Sequence, residues 1–218
     1  MVLFLTIIIR YFSSKSTICC DRAKKFKNVK VKNSHINKNT YFEGYNSINN
    51  NCKISNCYLG KYSYIGTDCI IRDTKIGNFC SLGNNIKTIL GSHPINFIST
   101  HNFCFENFST FDTEKKIKNS VYKIIIENDV WIGDNVLILP GVILYIQVLI
   151  GAGALVNRDI PPYAIVGGIP AKVIKYRFSD DIIQDLMNSK WWELSIKELN
   201  NYSSYFNTPK IFLEKFNN

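Results

Sequence analysis

Residues 126–156 read IENDVWIGDNVLILPGVILYIQVLIGAGALV, and a large aliphatic residue returns at every sixth position of this stretch. The sixth-position series is Ile126, Ile132, Ile138, Leu144, Ile150 and Val156. A second series, four residues after each of the first five members, holds smaller residues: Val130, Val136, Val142, Val148 and Ala154. A period of six matches neither the helical period nor the two-residue alternation of a half-buried strand. It predicts a triangular coil with three short strands per turn, each placing one large side chain inside.

A rougher copy of the pattern, with occasional five-residue steps, runs through residues 42–82. Its large residues are Phe42, Ile48, Ile54, Leu59, Ile65, Ile71, Ile76 and Leu82, and small residues at the following positions include Cys52, Ser63, Cys69 and Cys80. Stacked coils of this kind form internal ladders of aliphatic side chains. Glycines follow several inward residues, at Gly60, Gly66, Gly77, Gly83 and Gly133. We expect these glycines to relieve steric limits where the chain bends.

The pattern divides the chain into three parts. We expect an N-terminal packing segment at residues 1–35, a β-helix at residues 36–178, and a helical cap at residues 179–218. Within the β-helix, residues 86–122 lose the period, and a long excursion of this kind is usually functional. In the cap, Ser179 is typical of a helix N-cap, and a second short helix is expected near Ser195.

Composition narrows the classes of protein that fit. The 218 residues are 46% hydrophobic and carry a formal net charge of +9. The lysines are scattered, however, and the sequence has no nucleic-acid-binding motif. Nucleic acid is therefore not an expected partner. The apolar run at residues 2–9 is too short to be a transmembrane segment and lacks the features of a secretory signal. It predicts a first strand or a packing segment, with membrane-surface contact as the alternative. The chain has seven cysteines that are not spaced as disulfide partners, which indicates reduced thiols in a cytoplasmic protein.

Several motifs resemble those of the hexapeptide-repeat acyltransferases, which fold as left-handed parallel β-helices. The matching stretches are Trp131-Ile132-Gly133-Asp134-Asn135-Val136, Ile150-Gly151-Ala152-Gly153-Ala154 and Ile169-Pro170-Ala171-Lys172-Val173-Ile174. The motifs Gly91-Ser92-His93-Pro94, Ser99-Thr100-His101 and Lys190-Trp191-Trp192-Glu193 resemble the subgroup containing xenobiotic acetyltransferases and sugar O-acetyltransferases. The resemblance covers roughly residues 40–200. It implies a mainly β fold with an extended active-site loop and C-terminal helices.

The resemblance also implies a function. It predicts a homotrimer that transfers an acetyl group directly from acetyl-CoA to a hydroxyl, with no metal and with each active site between two subunits. His93 matches the position of the general base, which takes the proton of the attacking hydroxyl. His101 is the rival base, and its position in the sugar-modifying branch suggests a role in the acceptor pocket. Trp131 is expected either to line the groove for the pantetheine arm or to serve in packing.

Further positions match those that contact the cofactor in the resembling family. Lys172 matches a cofactor-contacting side chain, and Arg177 follows one short strand later. Val148, Val166 and Ala171 match positions where backbone groups hold the pantetheine arm. One departure stands out: Leu144-Tyr145-Ile146-Gln147 replaces the usual Ile-Gly-x-Gly, which puts bulky residues in a turn expected to need positive φ. We expect the enzyme to tolerate this change because the flanking repeat is intact.

Several functions remain open at this point. A sugar or polysaccharide-precursor acceptor is favoured by the pairing of the two histidine motifs, and an antibiotic acceptor is its closest rival. A metal-dependent hydratase would need three clustered histidines, whereas the chain has only His35, His93 and His101. A non-catalytic trimeric scaffold is the remaining alternative, because of the altered turn at Tyr145.

Overall fold

The computed structural model describes residues 28–88, 97–99 and 122–216. The strands in this part of the chain are β1 (Lys30–Val31), β2 (His35–Ile36), β3 (Tyr41–Phe42), β4 (Ser47–Ile48), β5 (Lys53–Ser55), β6 (Tyr58–Leu59), β7 (Tyr64–Ile65), β8 (Ile70–Arg72), β9 (Thr74–Ile76), β10 (Ser81–Leu82), β11 (Lys87–Thr88), β12 (Ile124–Ile126), β13 (Trp131–Ile132), β14 (Leu137–Ile138), β15 (Ile143–Leu144), β16 (Leu149–Ile150), β17 (Leu155–Val156), β18 (Ala164–Gly167) and β19 (Lys172–Tyr176). They are followed by the helices α1 (Asp180–Ser189), α2 (Ile196–Tyr202) and α3 (Pro209–Phe216), with 3-10 turns at Trp191–Glu193 and Ser203–Tyr205.

The strands form a left-handed parallel β-helix of about six turns, as the sequence predicted. Each turn contributes one strand to each of three sheets. Sheet A has the order β1-β4-β7-β10-β13-β16-β18-β19, sheet B has β17-β14-β11-β8-β5-β2, and sheet C has β15-β12-β9-β6-β3. All pairings are parallel except that of β18 with β19, which is antiparallel and ends sheet A. The bends between the sheets are called the AB, BC and CA corners.

The six-residue series forms the core. All of the expected large residues between Phe42 and Val156 are buried, as are the small positions Cys52, Ser63, Cys69 and Cys80. Each residue of this series places a large side chain in the core, and smaller residues such as Val136 and Ala154 fill the positions between them. Removal of this apolar surface from water is the main stabilising contribution to the fold.

The expected glycines do relieve a steric limit, but the limit comes from the neighbouring coil and not from positive φ. The left-handed backbone positions fall two residues later, mostly on Asn and Asp, as at Asn135 with φ 60°. Gly133 is required instead by the neighbouring coil, since a Cβ atom there would lie 2.7 Å from the backbone nitrogen of Ala152. Asn and Asp tolerate left-handed backbone because their short side chains form local hydrogen bonds. At the AB corner, for example, Asn85 donates from Nδ2 to Oδ1 of Asn135 over 2.7 Å.

The boundaries of the parts differ from those expected. The first coil begins at Lys30, where β1 already pairs with β4, rather than at residue 36. The period continues to Thr88, since Ile86 is buried and β11 joins sheet B, so the excursion begins after residue 88 rather than at 86. At the other end, Ser179 and Ser195 precede α1 and α2 as expected, and Ser195 forms a capping box with Glu198.

The helical cap covers the CA corner. Its core joins buried residues of α1, the 3-10 turn and α3, namely Ile183, Leu186, Trp191, Trp192, Phe212 and Leu213, to Ile146 and Tyr163 of the coil. The helices of the cap therefore lie along the side of the prism. Helix α3 was not predicted. Its two buried residues, Phe212 and Leu213, secure it against the rest of the cap.

Gly133→Ala tests the close approach of the coils. We expect it to lower the free energy of unfolding by roughly 2–4 kcal/mol, because the added methyl group meets backbone that cannot move aside. The matched control is Gly153→Asn, since Gly153 has φ 72° and open space around its Cα. This control is expected to change stability by less than about 1 kcal/mol. Urea unfolding followed by circular dichroism measures both, and equal effects would contradict the explanation.

Candidate functional site

The long excursion leaves the coil at the BC corner. Strand β11 ends at Thr88 in sheet B, and the chain rejoins the coil at β12 in sheet C. His93 and His101 belong to this excursion and lie outside the described residues, so the structure does not position either side chain. The third histidine, His35, is exposed in β2 and pairs in register with Lys53 of the next coil. In a triangular prism the BC corner is the one opposite sheet A.

Sheet A carries an apolar column on its outer face. Trp131 is 52% exposed, and it is flanked in register by Ser81 on one side and Leu149 on the other. The column continues from Leu149 to Ile165 of β18 and then to Lys175 of β19. Trp131 therefore contributes little to the interior of its own chain. Its open face is available to a molecule that lies along sheet A.

Three of the expected cofactor positions can contribute only backbone groups. The side chains of Val148, Val166 and Ala171 point into the interior and are at most 1% exposed. Their backbones already take part in the coil: the carbonyl of Val166 accepts from the amide of Gly151 over 2.8 Å, and the amide of Ala171 donates to the carbonyl of Leu155 over 2.8 Å. Side-chain replacement at these positions would therefore test core packing rather than recognition.

The two expected cationic positions are not brought together. Lys172 begins β19 beside Gly167 and is exposed, whereas Arg177 follows the other end of the same strand. A five-residue strand spans about 16 Å. Lys172 lies towards the AB corner, where Ala171 meets sheet B, and Arg177 lies at the CA corner beneath the helices. The two residues therefore lie at different corners of the prism.

Arg177 instead joins a cluster at the CA corner that the sequence did not reveal. Its Nη1 donates to Oε1 of Gln147 over 3.1 Å, and its guanidinium carbon lies 5.9 Å from the centre of the Tyr163 ring and 5.3 Å from that of Phe178. Asp129, Gln147 and Tyr163 occupy the corner on successive turns, all with left-handed backbone, at φ 53°, 55° and 59°. Positions that are 16–18 residues apart meet here because each turn of the coil has about that length.

The altered turn is explained by this cluster. The expectation of positive φ is confirmed for Gln147, whereas Tyr145 is not among the positive-φ residues of the described chain. A left-handed glutamine is strained by roughly 1 kcal/mol relative to glycine. Burial of its side chain and the hydrogen bond from Arg177 offset that strain. The side chain points to the helical cap, so its bulk does not enter sheet A.

Burial also raises the pKa values of two groups in this cluster, Asp129 and Tyr163. Asp129 borders a cavity of about 190 Å³ whose walls include Phe178, Trp191 and Phe212. Burial raises the pKa of the Asp129 carboxyl to about 6, and the nearby Arg177 guanidinium limits the rise. The hydroxyl of Tyr163 is buried and has no hydrogen-bond partner among the described residues, and burial holds the pKa of that group above its usual range.

Among the described residues, no group of three or more His, Cys, Asp or Glu side chains is arranged to hold a metal ion. Within residues 28–88, 97–99 and 122–216, no helix has the length and apolar character needed to cross a membrane.

Similarities to known proteins agree with the fold. The chain is 41% identical over 118 residues to a chloramphenicol acetyltransferase from Agrobacterium fabrum, a match that covers 52% of this chain and 56% of the relative. It is 37% identical over 125 residues to a probable macrolide acetyltransferase from Lysinibacillus sphaericus, covering 56% of this chain and 69% of the relative. The chain thus spans only a little over half the length of the first of these relatives. No family model matches it.

A solved structure shows the same architecture. A variant of AntD, an N-acyltransferase from Bacillus cereus in complex with dTDP and coenzyme A, superposes with a TM-score of 0.56 over 78% of this chain and 90% of AntD, at 19% sequence identity. At this identity the likeness concerns the fold alone.

Asp129→Asn tests the buried carboxyl. Because burial raises the pKa in the folded state above the unfolded value near 4, the folded chain binds more protons between pH 4 and 6. Wild-type stability should therefore fall as the pH rises through this window and stay level above it. The asparagine variant, which tolerates left-handed backbone, should lack this fall and be more stable at pH 7 by on the order of 2 kcal/mol.

The matched control for this variant is Asp68→Asn, at the exposed AB corner with φ 62°. It should change stability at pH 7 by less than about 0.5 kcal/mol. Thermal unfolding across pH 4–8 measures all three proteins. An Asp129→Asn variant that is less stable than wild type at pH 7 would show that the ionised carboxylate stabilises the fold.

Proposed function

Because the chain belongs to the hexapeptide-repeat acyltransferases, we propose that it transfers an acetyl group from acetyl-CoA to a hydroxyl, with His93 as the general base. The observation that carries the proposal is the long insertion at the BC corner of the coil, which holds His93 and His101 in the motifs Gly-Ser-His-Pro and Ser-Thr-His. An insertion of this length in an otherwise regular coil interrupts one strand-to-strand connection and leaves the stacking of the turns unchanged.

The proposed reaction is a direct transfer. The acceptor hydroxyl attacks the thioester carbonyl while its proton passes to the imidazole of His93. The new carbon–oxygen bond forms, the carbon–sulfur bond breaks, and the proton passes on to the departing thiolate of coenzyme A. Histidine suits this role because its ordinary pKa lies near neutrality. A backbone amide stabilises the oxyanion of the tetrahedral intermediate.

The arrangement of the coil favours a site shared by two copies. The insertion starts at the BC corner, whereas Trp131 and the outer column of sheet A lie on the opposite side of the prism. Lys172 is at the sheet A end of the AB corner. A homotrimer of parallel prisms places the insertion of one copy beside sheet A of the next. We therefore propose that acetyl-CoA lies between two copies, along Trp131 and with Lys172 near its phosphates.

Arg177 has a different role in this proposal. Its guanidinium is bound to Gln147 and stacked on aromatic rings at the CA corner, so a phosphate contact would have to compete with these interactions. We propose that Lys172 is the cationic cofactor contact and that Arg177 holds the helical cap on the coil. Val148, Val166 and Ala171 remain proposed backbone contacts of the pantetheine arm.

Two kinds of acceptor fit the proposal. The paired histidine motifs resemble those of sugar O-acetyltransferases, which favours a sugar or polysaccharide-precursor hydroxyl. The matches to the chloramphenicol and probable macrolide acetyltransferases favour a hydroxyl on an antibiotic. Both acceptors use the same base and the same donor.

Release of free coenzyme A from acetyl-CoA tests the base. With a panel of sugars, nucleotide sugars, chloramphenicol and macrolides, we expect wild type to show acceptor-dependent release. His93→Ala should lower kcat by roughly 10²–10⁴-fold, the usual contribution of a general base. His35→Ala, which removes an exposed histidine of the coil, should retain wild-type rates.

The other outcomes point to the alternatives. Loss of activity in His101→Ala alone would move the base to His101. A protein that shows no release with any acceptor and no coenzyme A binding at millimolar concentration would support the non-catalytic scaffold. Preference for one acceptor class, measured as kcat/KM, separates sugar from antibiotic modification.

Gln147→Gly tests whether the altered turn impairs cofactor binding. Because the Gln147 side chain faces the cap, we expect the Kd for coenzyme A to stay within about twofold of wild type. The melting temperature should fall as the Arg177 hydrogen bond is lost. Isothermal titration calorimetry and thermal unfolding measure the two effects. A Kd that tightened tenfold or more would show that the natural turn obstructs the cofactor groove.

A further inference from the structure

A second concave surface lies at the CA corner, away from the proposed acetyl-transfer site. This corner groove has a volume of about 460 Å³ and runs between the first coils and residues 192–198 of the helical cap. It is lined by the rings of Tyr45, Tyr62 and Phe79, which we call its floor, and also by Glu43 and Glu193. The proposed acetyl transfer uses none of these residues.

The floor offers the edges of aromatic rings. The rings of Tyr45 and Tyr62 stack with centroids 4.8 Å apart, those of Tyr62 and Phe79 with centroids 5.1 Å apart, and Trp191 covers the next position at 5.7 Å. Both faces of Tyr62 are thus covered by neighbouring rings. A flat sugar or nucleobase would need an open ring face. Ring edges are better suited to aliphatic side chains, which need only apolar contact.

The sides of the groove are acidic. Glu43, Glu193 and Glu198 line it, against one cation, Lys61. Hydrogen bonds from the Ser195 hydroxyl and backbone amide lower the pKa of Glu198, so this carboxylate stays ionised at neutral pH. The groove is therefore a locally acidic surface on a chain whose net charge is +9. It suits an occupant that is both aliphatic and cationic.

We propose that the corner groove is the docking site of this chain's own residues 1–27. Asn28, which follows them, has φ 56° and occupies the same corner position as Tyr45 one coil away, since the amide of Lys30 donates to the carbonyl of Asn46 over 2.9 Å. Successive coils are about 4.8 Å apart, so the end of the segment lies within roughly 5–15 Å of the groove floor.

The sequence of the segment complements the groove. Residues 2–9 are almost wholly aliphatic or aromatic. The cationic residues are Arg10, Lys15, Arg22, Lys24, Lys25 and Lys27, and Asp21 is the single acidic residue. The aliphatic side chains meet the ring edges and the cations meet the carboxylates. This occupant is the packing segment that the sequence predicted, and the proposal does not depend on acetyl transfer.

Photo-cross-linking of the full-length chain tests the proposal. With p-benzoylphenylalanine in place of Phe12, irradiation should link the segment to peptides containing Tyr45, Tyr62 or Glu193. Glu193→Lys should lower the yield by about fivefold, as loss and reversal of an exposed ion pair allows. Asp185→Lys, an equal charge change on the exposed side of α1, should leave the yield unchanged. Irradiation of a mixture of unlabelled and ¹⁵N-labelled protein distinguishes links within one copy from links between two copies.

Three results would overturn the proposal. Links to surfaces other than the corner groove would place the segment elsewhere, and a yield unaffected by Glu193→Lys would remove the electrostatic argument. The third result is that the segment binds phosphatidylglycerol vesicles and forms no link to the groove when vesicles are left out. It would then be a membrane-contacting segment instead.

Discussion

The hydrogen-bonded stacking of each coil on the next is the constraint on which the rest of the structure depends. The amides of Trp131 and Gly133 donate to the carbonyls of Val148 and Ile150, each over 2.9 Å, and equivalent bonds recur along all three sheets. The inward side chains of successive coils stack on one another and form one continuous apolar core. The two large departures from the repeat, the histidine insertion and the helical cap, are at corners of the prism.

The corners explain how a narrow prism can carry a functional site. The BC corner releases the histidine insertion, the CA corner supports the helical cap through Asp129, Gln147, Tyr163 and Arg177, and sheet A remains open on its outer face with Trp131 exposed. The corner from which the insertion starts and sheet A are on opposite sides of one prism. A reaction that needs both the insertion and sheet A can take the insertion from one copy and sheet A from its neighbour. This is the chemical argument for the proposed oligomer.

The sequence predicted those features of the structure that depend on residues close together in the chain. The sixth-residue series predicted the inward residues, and the serines at 179 and 195 predicted the starts of two helices. Contacts at the CA corner were not predictable in this way, because Asp129, Gln147 and Arg177 are brought together by the length of the turns and by the packing of the cap. Helix α3 was missed since only two of its eight residues are buried. His93 and His101 were identified by motif, and their positions remain predictions because the structure does not describe them.

The most direct test of a site shared between copies is complementation of two inactive variants. The variants His93→Ala and Lys172→Glu would each be purified alone as the parent proteins. In a second preparation they would be co-expressed with different affinity tags and isolated as mixed oligomers. If the base comes from one copy and the cofactor contact from its neighbour, every mixed trimer holds one intact site, which is about a third of its sites. Acceptor-dependent release of coenzyme A should then reappear at about that fraction of the wild-type rate. Mixed oligomers that stay as inactive as either parent would contradict the account.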